Sequence, residues 1–197
     1  MAKGKTFIIS GPSGVGKGTI VKAPLAERDD VYLSISATTR EPRAGEQDGV
    51  HYHFIDAARF RDLIEEDALL EYAEYVGNFY GTPKRFVVKA MERGQVVILE
   101  IDVQGAAQVS AKRPDAVTIF VVPPSWETLE QRLRDRGTDS EEKLQKRLVR
   151  AKVELQAAES YQYMVINDTV EQAVQEVKAI MLAEHCKPAE RMKNLIE

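Results

Sequence analysis

The sequence contains very little cysteine. Cys186 is the single cysteine among 197 residues, so no disulfide can form within the chain. It follows His185 near the carboxyl end, and no catalytic pattern surrounds it. A chain of this length can bury a core without disulfide staples. Scarce cysteine is typical of a reducing compartment, and we therefore expect a cytoplasmic protein.

Long apolar runs and an excess of positive charge are lacking as well. The run Phe7–Ile9 is far shorter than a secretory signal or the roughly 20 apolar residues of a membrane helix. Lysine and arginine number 27 against 31 aspartate and glutamate, which gives a formal net charge of −4. Proteins that bind nucleic acid or acidic membranes generally carry a basic excess. We therefore expect neither nucleic acid nor a membrane as a partner.

Five short apolar runs have the nearly continuous, β-branched character of strands that are covered on both faces. They are Thr6–Ile9, Val31–Ile35, Val96–Ile101, Thr118–Val122 and Tyr163–Ile166. Helical stretches separate them along the chain. Strands that alternate with helices indicate a parallel sheet with helices on both sides, which is an α/β fold.

Capping residues mark several helix ends. In Thr82-Pro83, a capping residue precedes a proline at the first helical position. The stretch Thr138–Glu141 predicts a capping box before a long charged helix that ends near Ser160. Asp168–Glu171 predicts the start of the final helix. Pro24 falls inside the helix expected after the first strand, and it should kink or shorten that helix.

Two segments interrupt the alternation of strands and helices. Ser36–Gly81 combines aromatic, glycine and charged residues, with a small sheet expected around His51–Ile55 and Tyr72–Tyr75. Trp126–Arg150 is rich in arginine and follows the rigid Pro123-Pro124 pair. We interpret both as insertions into the α/β core.

The stretch Gly11–Thr19 has the pattern G-x-x-x-x-G-K of a phosphate-binding loop, directly after a strand and before a helix. Glycines let the backbone N–H groups wrap phosphates, and the helix N-terminus adds partial positive charge. Lys17 can neutralise the β- and γ-phosphates of a nucleoside triphosphate. Gly18 departs from the pattern, because a Ser or Thr hydroxyl usually follows the lysine and binds Mg²⁺.

A second phosphate group could be clamped by Arg40 and Arg43, which lie three residues apart with hydroxyls and Tyr52 nearby. A solvated loop with surface ion pairs would have the same composition. These residues alone leave the choice between the two interpretations open.

Several motifs occur in the order found in guanylate kinases, and the chain resembles that family from about Lys5 to the final helix. The resemblance is specific because the motifs are independent and correctly spaced. They are the phosphate loop, S-x-T-T-R-x-P-R-x-G-E from Ser36, Glu71 with Gly77–Thr82, Glu100–Gly105, Arg136–Thr138, Lys146–Leu148 and Val165–Asp168.

The resemblance implies the nucleoside monophosphate kinase fold: a five-stranded parallel sheet core flanked by helices, with two inserted subdomains. The core would comprise residues 1–35, which carry the phosphate loop, together with 83–125 and 151–197, which include the C-terminal helix. Residues 36–82 would form the GMP-binding subdomain, and residues 126–150 would form the lid.

The resemblance also implies the residues of each site. ATP would bind to Gly11, Pro12, Ser13, Gly14, Val15, Gly16, Lys17, Gly18, Thr19, Arg132, Arg136 and Asn167. The GMP phosphate would bind to Arg40, Arg43, Tyr52 and Tyr80. The guanine base would be read by Ser36, Glu71, Thr82 and Asp102, with Glu46 as a further member of the GMP site. Catalytic charge would come from Lys17, Arg40, Arg43, Arg136 and Arg147.

The two carboxylates of the base site suit guanine. Guanine has N–H donors at N1 and N2, and ionised Glu71 and Asp102 can only accept hydrogen bonds. Adenine has an acceptor at N1 and lacks the N2 amine. A base that leaves buried polar groups unpaired can be rejected by ~10⁴ or more in favourable sites.

The arginines of the second insertion divide into two groups. Arg132 and Arg136 lie four apart and share a helix face, from which they could close on a triphosphate. We expect Arg134 and Arg150 to lie on a solvated helix face and to pair with nearby glutamates. Glu100 ends the third strand, where many members of the family have Asp.

The reaction expected from these residues is ATP + GMP ⇌ ADP + GDP, with Mg²⁺ as cofactor and dGMP as a further acceptor. Contacts of the metal would be indirect, with Thr19 and Glu100 as the candidates. Two alternatives stay open: a kinase with AMP or a pyrimidine nucleotide as acceptor, and a non-catalytic scaffold module that binds phosphorylated peptides. Gly16 and Lys17 argue against the scaffold. The sequence does not distinguish a monomer from a homo-oligomer.

Overall fold

The computed structural model describes residues 4–25, 28–75, 77–135 and 140–196, which form two sheets and the helices packed around them. The strands are β1 (Thr6–Ser10), β2 (Val31–Leu33), β3 (Ala37–Thr38), β4 (His53–Phe54), β5 (Leu69–Tyr75), β6 (Asn78–Pro83), β7 (Val96–Glu100), β8 (Val117–Val122) and β9 (Tyr163–Ile166). The helices are α1 (Lys17–Leu25), α2 (Ala57–Glu65), α3 (Lys84–Glu92), α4 (Val103–Lys112), α5 (Trp126–Asp135), α6 (Glu141–Gln156), α7 (Val170–His185) and α8 (Pro188–Ile196). Across the described ranges, no helix combines the length and the apolar character that crossing a bilayer requires.

The larger sheet has five parallel strands in the order β2-β7-β1-β8-β9, which confirms the predicted fold class. The strand ends lie within two residues of the predicted ones. The largest difference is in β2, which ends at Leu33 instead of Ile35. The N–H of Ser34 still donates to Ile98 O at 2.9 Å, and the chain then leaves this sheet for the second one.

Helices cover both faces of the five-stranded sheet. Ile8 and Ile9 are both fully buried, and the alternation of a strand sends them into opposite layers. Ile9 joins a layer that includes Ile20 of α1, Leu129 of α5 and Val177 of α7. Ile8 packs in the other layer, which contains residues of α3 and α4. Burial on both faces explains why β1 is apolar without interruption.

The second sheet has four strands in the order β4-β3-β6-β5. All four belong to the first insertion, except that β6 continues two residues past it to Pro83. β5 and β6 form an antiparallel hairpin, and β3 pairs antiparallel with β6. Phe60 of α2 packs on this sheet in a small core with Ala37 and Leu69. The sequence indicated β4 and β5 but missed β3, which has only two residues, and β6, in which Asn78, Gly81 and Pro83 interrupt the strand-forming residues.

The prediction that Thr82 caps α3 is wrong. β6 continues through Pro83, which is the N-cap of α3 and makes no side-chain capping bond. The Thr82 hydroxyl is buried and donates to a carboxylate of the cleft described below. The helix α1 ends at Leu25, one residue after Pro24.

The long charged helix α6 begins later than predicted. Ser140 is its N-cap, and the Ser140 side chain accepts a hydrogen bond from the N–H of Lys143. Thr138 and Asp139 of the predicted capping box lie outside the described residues. α6 ends at Gln156, and a turn of 3₁₀ helix over Ala157–Ser160 follows it.

The carboxyl-terminal region contains a helix that the sequence did not indicate, because α7 is followed by α8. Glu184 of α7 is 2% exposed and lies where several elements meet. It accepts from Tyr163 Oη at 2.6 Å and pairs with Lys5 Nζ at 2.9 Å and Lys187 Nζ at 2.6 Å. The cluster therefore ties the entry of β1, the start of β9 and both last helices to one another.

Candidate active site

The topology brings two predicted motifs to one edge of the larger sheet. β1 and β7 are parallel neighbours, and Ile9 is paired with Glu100. The loops that follow both strands therefore open at the same edge, where ligands of α/β proteins bind. A cleft of about 490 Å³ lies there. It is lined by Gly11, Ser13, Gly14, Gly16, Lys17, Gly18, Thr19, Lys22, Ser36, Arg40, Arg43, Glu46, Tyr52, Glu71, Ala73, Tyr75, Tyr80, Glu100, Ile101, Asp102, Arg147 and Glu154.

The phosphate-binding loop joins β1 to α1 on one side of the cleft. Gly11 has a φ of 143°, and a β carbon at this position would overlap the carbonyl oxygen of Val121. Glycine is therefore required for the loop to pass over β8. Lys17 Nζ donates to Gly11 O at 2.6 Å and to Pro12 O at 3.1 Å. These contacts fold the ammonium group over the loop that would hold phosphates.

Asn167 and Arg132 support this loop from behind. Asn167 is buried after β9, and its Nδ2 donates to Val15 O at 2.6 Å. A β carbon on Gly16 would lie 2.6 Å from the same Nδ2, so a larger residue at position 16 would collide with the asparagine as it is placed here. Arg132 donates to the carbonyl oxygens of Asn167 at 3.0 Å and Asp168 at 3.3 Å. Both residues were predicted to bind ATP, and neither lines the cleft.

Two predicted members of the GMP site, Arg40 and Glu46, form an ion pair. Arg40 Nη2 lies 2.9 Å from both carboxylate oxygens of Glu46, and the backbone N–H of Arg43 donates to Glu46 Oε2 at 2.7 Å. Burial opposes ionisation of Glu46, but these donors outweigh it and lower the pKa of the carboxyl. Glu46 thereby fixes the positions of the two predicted phosphate-binding arginines.

Aromatic rings surround the Arg40 side chain. The guanidinium lies 5.5 Å from the centre of the Tyr52 ring, and that ring meets Tyr80 edge-on at 6.0 Å. Burial, assisted by the negative charge of Glu100, raises the pKa of Tyr52 to about 12. Tyr52 is therefore a neutral hydrogen-bond donor at physiological pH. Arg40, Arg43, Tyr52 and Tyr80 all line the cleft, as a phosphate clamp requires.

Glu71 and Asp102 converge at the first turn of α4. Glu71 is 4% exposed, and its Oε1 accepts from the Thr82 hydroxyl at 2.6 Å. Burial, with the Asp102 charge as a smaller contribution, raises the pKa of Glu71 to about 7. Asp102 is the N-cap of α4, and its Oδ1 accepts from the N–H of Gly105 at 2.8 Å. Ser36 lines the same cleft.

The two departures from the family pattern, Gly18 and Glu100, lie against each other. A β carbon at Gly18 would be 3.6 and 3.7 Å from the carboxylate oxygens of Glu100. Burial raises the pKa of Glu100, while Lys17 and Lys22 oppose that shift. Gly18, which lacks the usual hydroxyl, and Glu100, which is longer than the usual Asp, therefore lie in one region beside the phosphate loop.

This region suits a magnesium ion that is bound together with phosphates. Mg²⁺ prefers one or two carboxylates, water and phosphate oxygens over a cage made only of protein groups. Glu100 supplies a carboxylate on the wall of the cleft, next to Lys17 and Thr19. Among the described residues, no group of three or more His, Cys, Asp or Glu side chains could hold a metal alone. The residues present fit a metal that arrives with a nucleotide.

The arginines of the second insertion have different positions. Arg147 lines the cleft, and Arg136 lies outside the described residues. Arg134 pairs with Glu130 at 2.7 Å and Glu141 at 3.0 Å on the surface, as expected. The expectation for Arg150 is correct in part, because Arg150 pairs with a glutamate, Glu154, at 2.9 Å. It is wrong about a solvated face, because the side chain is only 27% exposed and also lies 3.4 Å from the cleft residue Asp102.

Sequence reasoning missed three residues at this end of the cleft: Tyr75, Arg150 and Glu154. A usable indication was present, since Arg147, Arg150 and Glu154 are spaced by three and four residues and therefore share one helix face. The position of Arg147 on that face would have placed the other two. No such indication existed for Tyr75, because its partner in the structure, Arg150, lies on the distant helix α6.

Known proteins resemble this chain along nearly its full length. A family model described as guanylate kinase matches residues 3–184. A guanylate kinase of Clostridium perfringens (strain 13 / Type A) is 51% identical over 195 residues, which cover 99% of this chain and 90% of that protein. One from Caldanaerobacter subterraneus subsp. tengcongensis is 51% identical over 193 residues, with coverage of 98% and 93%. The crystal structure of guanylate kinase from Anaplasma phagocytophilum superposes with a TM-score of 0.79 at 30% identity, covering 96% of this chain and 90% of that one.

Proposed function

The chain belongs to the guanylate kinase family, and from this premise we propose how the residues of its cleft transfer a phosphoryl group. Guanylate kinases are nucleoside monophosphate kinases, so the chain transfers the γ-phosphoryl group of ATP to GMP and forms ADP and GDP. The single observation that carries the residue assignments is the common cleft, which contains the phosphate loop, the arginine clamp and the Glu71–Asp102 pair.

ATP binds along the phosphate loop in this proposal. The N–H groups of the loop and the N-terminus of α1 surround the β- and γ-phosphates. Lys17 leaves the carbonyl oxygens of Gly11 and Pro12 and neutralises phosphate charge instead. Asn167 and Arg132 hold the loop and the end of β9 in place. Arg147 and Arg136 supply further positive charge from the lid.

GMP binds on the other side of the cleft. Arg40, Arg43, Tyr52 and Tyr80 hold its phosphate, and Glu46 keeps the two arginines oriented. Ionised Glu71 and Asp102 accept from the N1 and N2 donors of guanine. The Thr82 hydroxyl orients Glu71, and the Ser36 hydroxyl is available to the O6 acceptor. Residues 36–82 then act as the GMP-binding subdomain, residues 126–150 as the lid and the remainder as the core.

The chemistry requires alignment and positive charge more than acid–base catalysis. The attacking oxygen of GMP is already anionic, so no strong general base is needed. The enzyme must bring two anions together in line, and Lys17, Arg40, Arg43, Arg136 and Arg147 provide the field that permits this. Closing the lid over the cleft excludes water and limits hydrolysis of ATP.

Mg²⁺ is the proposed cofactor, with Glu100 and Thr19 as the residues beside it. When bound, it would neutralise charge on the β- and γ-phosphates. Glu100 would accept hydrogen bonds from water on the metal, and it lies in van der Waals reach of position 18, where the usual hydroxyl is absent.

A substrate panel tests the assignments. We expect ADP release with GMP to exceed release with AMP, CMP and UMP. Lys17→Ala should remove most turnover with every acceptor, because it acts on the donor side. Glu71→Ala combined with Asp102→Ala should weaken the preference for GMP. An unchanged preference in the double variant would refute the role of the two carboxylates, and absence of GMP-dependent ADP release would favour a binding module.

A further inference from the structure

Arg150 links the lid-side helix α6 to the base-reading end of the cleft. Its Nη2 lies 3.4 Å from Asp102 Oδ2, and its Nε donates to Glu154 Oε1 at 2.9 Å. The guanidinium carbon lies 4.2 Å from the centre of the Tyr75 ring, which is close enough for a cation–π contact. The side chain is 27% exposed, so these contacts are only partly screened by water. One cation thus joins residues of β5, α6 and the turn before α4.

Negative charge is concentrated around this cation. Glu71, Asp102 and Glu154 all line the cleft, and both Glu71 and Glu154 are buried. Among the described residues, Asp102 and Glu154 each form their ion pair with Arg150. Arg150 is therefore the cation that bridges a base-reading carboxylate, Asp102, to the buried Glu154 of α6.

The contact to Asp102 leaves room for a ligand. Asp102 Oδ1 accepts from Gly105 N at 2.8 Å, and Oδ2 lies 3.4 Å from Arg150, which is long for a charged hydrogen bond. A carboxylate has about four lone-pair sites, so an N–H group of guanine can be added without displacing the arginine.

We propose that Arg150 is a positioning residue for guanine recognition, which holds the Asp102 carboxylate in place while Asp102 accepts from the base. The proposal rests on the assignment of Asp102 to guanine made above. Arg150 itself does not touch the base; it acts through the carboxylate. It makes α6 part of the acceptor site as well as of the lid.

The charges that face this cluster come from several elements. Asp102 is faced by Glu71 from β5, by Arg150 and Glu154 from α6, and by Tyr161, whose pKa is raised by burial and further by Asp102 and Glu154. Glu71 is also faced by Lys112 of α4, whose charge opposes the effect of burial on the pKa of Glu71. Removing Arg150 takes away the ion-pair partner of both Asp102 and Glu154 and frees the Asp102 carboxylate to turn.

The test compares steady-state kinetics of Arg150→Met, Arg150→Lys and a control, Lys146→Met. Lys146 lies one turn earlier on α6, is 69% exposed and pairs only with Glu142 among the ion pairs of the described residues. At pH 7 we expect Arg150→Met to raise KM for GMP by ~10-fold, with kcat and KM for ATP changed less.

Arg150→Lys retains the positive charge and should restore part of the KM for GMP. Lys146→Met should match the wild type. An unchanged KM for GMP in Arg150→Met would overturn the proposal. If Arg150→Met lowers the melting temperature, the same comparison made with Arg150→Lys, which keeps the positive charge and most of the side-chain length, decides whether charge or packing is responsible.

Asp102→Asn separates this inference from the function on which it rests. If Asp102→Asn leaves KM for GMP unchanged, the assignment of Asp102 to guanine fails. If Asp102→Asn raises KM for GMP and Arg150→Met does not, only the role of Arg150 fails. In the double variant, removing Arg150 should add little to the effect of Asp102→Asn. A full additional effect would show that Arg150 acts by another route and would refute the proposal.

Discussion

Glu71 and Gly105 lie so close together that a larger residue at position 105 must displace the Glu71 carboxylate. A β carbon there would overlap Oε2 of Glu71 and lie 2.9 Å from its Cδ. Gly105 also donates its backbone N–H to Asp102. One glycine in the first turn of α4 therefore positions both carboxylates that we assign to guanine.

Gly105→Ala should disturb the acceptor site and spare the donor site. The added methyl must displace the Glu71 carboxylate, since it cannot move the helix without breaking the Asp102 cap. We expect KM for GMP to rise ~10- to 100-fold, equivalent to the roughly 1–3 kcal/mol of an overpacked core position. KM for ATP should change less than twofold. Ala107→Ser, which adds one atom on the exposed side of α4, is the control; equal effects of the two variants would contradict this interpretation.

Binding of GMP should release a proton near neutral pH. Glu71 has a pKa of about 7 in the described structure, so it is largely protonated below pH 7. Donors at N1 and N2 of guanine favour the ionised form, and therefore the pKa falls when GMP binds. The range from pH 5.5 to 7 lies at and below that pKa. Within this range the affinity for GMP should increase with pH, and binding of GMP should release protons to the solvent.

Calorimetry in buffers of different ionisation enthalpy measures this release. The phosphate of GMP titrates near pH 6 as well, so the difference between the wild type and Glu71→Gln isolates the contribution of Glu71. Identical proton release by the two proteins would show that Glu71 does not ionise on binding.

Glu100→Gln should weaken the hold on the metal while base selection stays intact. The amide keeps the size of the side chain but removes the charge beside Gly18. Loss of a residue that orients metal-bound water typically costs 10- to 100-fold in metal affinity, and we expect a value near the lower end, about 10-fold. Binding of Mn²⁺ to the complex of enzyme and ATP, followed by electron paramagnetic resonance, measures this directly. Glu100→Asp should retain most of the affinity, and the preference for GMP over AMP should be the same in all three proteins.

Glu184→Gln should destabilise the protein at neutral pH and less so in acid. Burial opposes ionisation of Glu184, but hydrogen bonds from Lys187, Tyr163 and Lys5 outweigh it and lower the pKa of the carboxyl to about 2. This value lies below that of the unfolded chain, so the stabilisation is complete above pH ~4.3 and is lost as pH falls toward 2. Its size is about 2–3 kcal/mol.

Urea unfolding of Glu184→Gln at pH 7 should show this loss, and the difference from the wild type should narrow below pH ~4. Glu176→Gln on the same helix, where Glu176 accepts only from Gln172 among the described hydrogen bonds, is the matched control. A constant difference between the wild type and Glu184→Gln from pH 7 to pH 3 would exclude the ionised carboxylate as the cause.

The sequence predicted the parts of the molecule that depend on local patterns. The five parallel strands were recognisable because burial on both faces makes each of them apolar, as Ile8 and Ile9 illustrate. The phosphate loop was recognisable because its glycines and Lys17 are neighbours in the chain. The resemblance to a family then supplied the acceptor residues, most of which do line the cleft.

What the sequence could not provide depends on contacts between distant residues. Thr82 has the character of a helix cap, yet the buried Glu71 on the neighbouring strand takes its hydroxyl. Arg150 pairs with Glu154 along its own helix, as local spacing suggests, but its contacts with Asp102 and the Tyr75 ring come from distant parts of the chain. The two-residue strand β3 carries too short a pattern to be recognised and is held by its pairing with β6 and β4.

The position of β1 has a consequence for how the chain is made. β1 lies between β7 and β8, where Thr6 is paired with Val97 and Phe7 with Val117. The phosphate loop therefore leaves the ribosome long before either neighbour exists to support it. A nascent chain that stops before Val96 exposes the apolar segment Phe7–Ile9 without a partner, a known route to aggregation. Nucleotide binding is thus acquired late in synthesis, once residues through Val122 can pair, and ATP cannot assist the earliest steps of folding.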